Sequence, residues 1–165
     1  MKSKQGLWGF LFVGLLGVLF HFAYDFFGQN WVAGIFFPIN ESIWEHLKLL
    51  CYPVILWWGV EWFWGQKTPC FFPVRMKALA LAVGAIPVLY YTYSGIVGQR
   101  FAVADIGIFF VADALYFWLT ARFSAREKRA CEGAVLGALT ALLILFFAFT
   151  AFTFFPPDLG IFRSP

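Results

Sequence analysis

Two histidines and a few acids stand at spacings that could hold a metal ion or move a proton. His21 and Asp25 are four residues apart, on one face of the segment if it is helical. A carboxylate so placed can orient an imidazole, which suits a proton relay or a metal ligand backed by its own acid. The same pair would also suit a helix end lying in the headgroup layer. A denser group follows at Asn40-Glu41-Ser42-Ile43-Trp44-Glu45-His46-Leu47-Lys48. On a helix starting after an Asn40 N-cap, Glu41 and Glu45 share a face and Lys48 lies one turn beyond Glu45. His46 then points about 100 degrees away from Glu45. Two carboxylates and an imidazole in that order could bind a divalent cation or pair a general acid with a base. Yet the pattern is not the His-Glu-x-x-His zinc signature, and acids at a helix start also favour its dipole. Glu45 and Lys48 could equally form a plain ion pair.

Asp105 and Asp113 are eight residues apart, hence about 80 degrees apart around a helix and about 12 Å along it. Asp113 falls in the middle of an apolar run, the most expensive place for a carboxylate. Bonding to Tyr90 or Tyr116 would relieve it, and so would a role in an ion path. The candidate pocket is therefore His21, Asp25, Asn40, Glu41, Glu45, His46, Lys48, Asp105 and Asp113. Within it, His21, Asp25, Glu41, Glu45 and His46 are the candidate ligands of a divalent metal ion.

The elements that position these residues are apolar helices. Of the 165 residues 62% are hydrophobic and 13% charged, with 23 phenylalanines. A mean hydropathy of +0.78 calls for lipid as solvent. The sequence predicts an all-α polytopic membrane bundle, a single membrane domain with about five spans near 7–27, 41–64, 76–95, 101–121 and 133–155. A short interfacial or re-entrant segment, residues 31–37, follows the first span, being too short to cross and too apolar for water. Pro53 and Pro87 are expected to bend the second and third spans. Glu61 is expected to snorkel to an interface.

Alternating the loops puts Lys2, Lys4, Lys67, Arg75, Lys77, Arg122, Arg126, Lys128 and Arg129 on one side and Lys48, Arg100 and Arg163 on the other. That bias predicts a cytoplasmic N-terminus and an outer C-terminus, with the His21 and Glu41 clusters meeting at the outer face. It also accounts for the basic balance without a nucleic-acid partner. Cys51, Cys70 and Cys131 then read as packing residues and not as a disulfide framework. Gly133, Gly137 and Ala141 form a small-residue strip for close helix contact, within one subunit or across a homodimer. No nucleotide loop, zinc-finger cysteines or serine-hydrolase elbow is present in the sequence. Three functions stay open: binding or conduction of a cation, proton or small solute; metal-dependent hydrolysis near the outer leaflet; and a structural or partner-subunit role.

The run from Pro38 through the Asn40–Lys48 group to Leu49 resembles an uncharacterised family of small multi-pass bacterial membrane proteins. His21 to Asp25, Tyr91-Thr92-Tyr93-Ser94-Gly95-Ile96, Asp105-Ile106 and Phe152-Thr153-Phe154-Phe155-Pro156-Pro157 are similar to it as well. The resemblance implies a bacterial cytoplasmic-membrane protein and brings no reaction with it.

Overall fold

The computed structural model describes residues 3–65, 68–126 and 131–164. Lys2, Lys67, Lys128 and Arg129, which enter the charge count, lie outside those residues. Among the described residues the chain folds into six α-helices with no strand. They are α1 (Ser3–Phe26), α2 (Trp31–Phe36), α3 (Ile43–Phe63), α4 (Phe71–Val97), α5 (Ala102–Arg126) and α6 (Glu132–Phe154), followed by a 3-10 turn at Gly160–Phe162. α2 is the short segment expected at 31–37, and each of the other five overlaps one of the expected spans.

Four of them, α1, α4, α5 and α6, are long and apolar enough to cross a membrane. α3, with 21 residues, has the length, about 31 Å, but Glu45, His46, Lys48 and Glu61 dilute its apolar character. The physical reason is its position. α3 packs on α1 and α4 and buries Leu47, Leu50, Cys51, Val54, Trp57 and Trp58, so much of its surface meets protein and not lipid.

α4 begins at Phe71, ahead of the expected start. Pro73 falls in its first turn, where the missing amide is not needed. Arg75, expected in a connection, therefore lies inside the helix.

A glycine lets α1 close on α3. A Cβ at Gly17 would stand 2.8 Å from Leu49 O and 2.5 Å from Phe109 Cζ. Pro53, four residues beyond Leu49, has no amide to bond that carbonyl, and the bare α1 backbone packs over it. α3 stays helical through Pro53, as α4 does through Pro87.

α2 is held through its own carbonyls. A helix of six residues leaves most of its C=O groups without intrahelical partners, a serious penalty away from water. Lys48 Nζ donates to Gly34 O (2.8 Å) and Phe37 O (3.4 Å), and Tyr52 Oη donates to Ile35 O (2.9 Å). At the other edge of the bundle, a Cβ on Gly133 or Gly137 would meet nothing within 4 Å. Among the described residues nothing packs against those two glycines.

Candidate functional site

The segment between α2 and α3 separates two glutamates that helical spacing would place together. Ser42, not Asn40, is the N-cap of α3: its Oγ accepts from Glu45 N at 3.3 Å. Asn40 instead folds a tight turn, its Oδ1 accepting from Ser42 N at 2.9 Å. Ser42-Ile43-Trp44-Glu45 carries the capping-box spacing, the signal in the sequence that marks this start. With the helix beginning at Ile43, Glu41 is off it, and the expected shared face with Glu45 is not formed.

Glu45 turns into the protein. Its Oε2 accepts from Lys48 Nζ at 2.8 Å and from Ile39 N at 3.0 Å, and its Oε1 accepts from Thr153 Oγ1 at 2.7 Å. Glu45 and Lys48 are 1% and 0% exposed. Since Lys48 also bonds α2, this pair ties α2, α3 and the end of α6 into one closed network. Every charge in it is answered, and three donors already occupy the Glu45 carboxylate, both oxygens engaged away from the two imidazoles.

Glu41 turns the other way, to two imidazoles. Its Oε2 lies 3.4 Å from His46 Nε2 and its Oε1 lies 3.9 Å from His21 Nε2. The two rings tilt toward each other with centroids 5.3 Å apart. One ligand atom from each of His21, Glu41 and His46 falls within 4.8 Å of the other two. His46 Nδ1 sits 2.9 Å from Ser42 O. A carbonyl only accepts, so Nδ1 carries the proton and, in the neutral ring, Nε2 presents a lone pair to Glu41. Two acceptors at that distance need a proton or a metal ion between them. The Nδ1–H to carbonyl bond is also the support that metal-binding histidines generally have.

Asp25 does not join this group. It accepts from Gln29 Nε2 at 2.7 Å, on the turn that ends α1. Of the five candidate ligands the structure thus brings together His21, Glu41 and His46, and it places Asp25 and Glu45 elsewhere.

The triad lines a half-open cavity of about 470 Å³, within the usual range of ligand sites. Asp105 lines it too and accepts a hydrogen bond from Tyr93 Oη. Arg100 and Tyr90 complete its polar wall, while Val18, Phe22, Ile106 and Phe109 give it an apolar side. Arg100, Tyr90 and Tyr93 are site residues that entered the sequence reading only as a topology charge, a possible bond for Asp113 and part of the family-like stretch at 91–96. Their signal was the short turn from α4 into α5, which must bring the end of one helix and the start of the next to one level.

Asp113 lies deeper and is not part of that lining. It is 0% exposed, and neither carboxyl oxygen has a hydrogen-bond partner among the described residues. A bond to Tyr90 or Tyr116 is not made; the Tyr116 hydroxyl accepts from Trp58 Nε1 at 2.7 Å.

At the opposite end of the bundle two expectations are corrected. Glu61 does not snorkel: it is 3% exposed and its Oε2 accepts from Arg75 Nε at 2.7 Å. Arg75 also lies over the Phe71 ring, 3.7 Å from its centroid. Cys70 and Cys131, read as packing residues, form a disulfide with Cα atoms 5.0 Å apart. Each stands just before a helix, α4 or α6, and the two helix starts lie side by side, a proximity that loop spacing could not reveal. Cys51 is the buried free cysteine.

The sequence profile of a family of unknown function, DUF6512, matches residues 2–165, and the chain belongs to that family. No curated protein and no solved structure matches it.

Proposed function

We propose that this membrane protein binds a divalent metal ion through His21, Glu41 and His46, and that the ion keeps an open coordination position facing the cavity. The observation that carries the reading is the convergence of three ligand atoms within 4.8 Å of one another, beside an imidazole whose tautomer is fixed by Ser42 O. Two imidazoles and one carboxylate suit zinc, and three protein ligands leave a place for water. A water bound there is acidified and becomes a nucleophile near neutral pH. Asp105, on the same cavity wall, is the acid available to manage its proton. The reading is thus a metal-dependent hydrolase, with the cavity at the outer face of a bacterial cytoplasmic membrane as the charge bias favours.

The test is the metal content of detergent-purified protein after equilibration with micromolar zinc and gel filtration. Wild type retains near-stoichiometric zinc, whereas folded His46→Ala and Glu41→Gln variants lose it. A wild type that retains none would overturn the proposal.

Asp113 favours a second reading, conduction of a proton or small cation. A buried carboxyl with both oxygens unpartnered is a step that such a path uses. In proteoliposomes, that reading requires wild-type flux and its loss in Asp113→Asn. The hydrolase reading expects no flux, and unchanged zinc binding in the same variant.

A further inference from the structure

The cavity has two characters that a free metal site would not need. One is its apolar wall. Val18 and Phe22 of α1 and Ile106 of α5 line the cavity and are at the same time 44%, 64% and 57% exposed. Side chains that face both a cavity and the outside of a membrane bundle mark a mouth, here on the sides of α1 and α5 that lipid would cover. A mouth there would open laterally, toward the bilayer.

The other is its charge. Arg100 stands at the cavity on the short turn between α4 and α5, and among the described residues it makes no hydrogen bond or ion pair. Asp105, its nearest acid in sequence, is engaged by Tyr93. With a divalent ion on the triad, the ion and Arg100 outweigh Glu41 and Asp105, so the polar end of the cavity attracts an anion. A guanidinium fork beside a Lewis acid matches the oxygens of a phosphate.

We infer that the cavity takes a lipid with an anionic phosphate headgroup. The phosphate sits between Arg100 and the ion on His21, Glu41 and His46, and the chains leave past Val18, Phe22 and Ile106. This rests on the metal reading, and deepens it by naming the substrate class. A phosphate next to the ion's open position is where an activated water would meet it.

Calorimetric titration of zinc-loaded protein in detergent tests the inference with three probes: dihexanoyl phosphatidic acid, dihexanoyl phosphatidylcholine and glycerol phosphate. Phosphatidic acid is expected to bind at least about tenfold more tightly than either of the others. Arg100→Gln is expected to weaken it about tenfold with zinc content unchanged, and Arg100→Lys to recover part of the loss. Equal affinity for phosphatidylcholine would overturn the anionic headgroup. Equal affinity for glycerol phosphate would make the ligand a soluble phosphate ester and overturn the lipid. Phosphatidic acid binding that persists in zinc-free His46→Ala would remove the ion from the seat. A separate zinc titration keeps the two readings apart: no zinc uptake defeats the metal site itself, whereas zinc uptake without lipid preference defeats only the substrate.

Discussion

On one side of residues 40–46, Glu45 is enclosed by Lys48, Thr153 and the Ile39 amide. On the other side, Glu41 faces two imidazoles across 3.4 and 3.9 Å, at the wall of a cavity. The two acids have the same chemistry and are four residues apart, yet one has both oxygens engaged by donors of its own protein and the other has its oxygens on offer. What decides between them is the helix start at Ile43. Glu45 belongs to the first turn and follows α3 into the bundle, while Glu41 stays on the turn before the cap. A polar group that is fully answered by its own protein holds the fold together; one that is only half answered is available to a ligand.

Breaking the closed network should give the largest effect. Lys48→Met leaves Glu45 buried without its counter-charge and strips Gly34 O of its donor, a loss of roughly 3–5 kcal/mol. The variant is expected to be poorly folded, read as a lowered Tm and aggregation on gel filtration in detergent. Pairing it with Glu45→Gln should recover part of the loss, because the orphaned charge is then gone. A Lys48→Met protein with wild-type Tm would mean that the network contributes no stability, and the contrast between the two glutamates would lose its structural half.

A smaller effect, on the open side alone, is expected from Gly17→Ala. The new methyl meets Leu49 O, a backbone atom that cannot swing away. α1 must therefore shift, with an overpacking penalty of about 1–3 kcal/mol. His21 lies one turn beyond Gly17 on the same face, so it moves away from Glu41 and His46. Zinc affinity should fall by about tenfold or more while the protein stays folded. Gly84→Ala is the control, since a Cβ there meets nothing within 4 Å. Unaltered zinc affinity in a folded Gly17→Ala protein would show that His21 is not a ligand.

The fold was the legible part. Apolar runs bounded by Gly28, Pro38, Gly98 and the basic loops are long-range signals, and each matched a helix within a few residues. The candidate site was legible in composition and in the meeting of the His21 and Glu41 groups, but not in which acids join it. Helical spacing joins Glu41 to Glu45 and His21 to Asp25, whereas the fold joins His21, Glu41 and His46 across two segments. A shift of the α3 start by two residues rotates Glu41 off the face assumed for it, and Ser42-x-x-Glu45 was the local clue to that start. Thr153 reaching Glu45 and Cys70 reaching Cys131 depend on how α6 is seated against the other helices, which no local pattern encodes.

Changes at the opposite end should have the least effect on the site, and they test which way the comparison faces. Cys70 and Cys131 are 61 residues apart in sequence, and a closed link over such a loop restrains the unfolded chain by about 4 kcal/mol. Disulfides persist on the oxidising side of a membrane, whereas the bias of positive residues would put this end in the cytoplasm. Arg75 adds little to that bias, being buried against Glu61, but Lys77, Arg122 and Arg126 remain. The disulfide and the charge bias point this end to opposite sides, and labelling in growing cells decides between them. In a Cys51→Ser background, labelling of the pair in intact cells by a membrane-permeant maleimide without prior reduction, and by no impermeant one, would favour the charge bias. Cys70→Ser is expected to lower stability by about 4 kcal/mol under oxidising conditions and by less than about 1 kcal/mol under reducing ones. If permeant maleimide labels the pair only after reduction, and an impermeant reductant suffices for that, the end is outside. The triad and its cavity would then open on the cytoplasmic leaflet, and any lipid seated there would come from that leaflet instead.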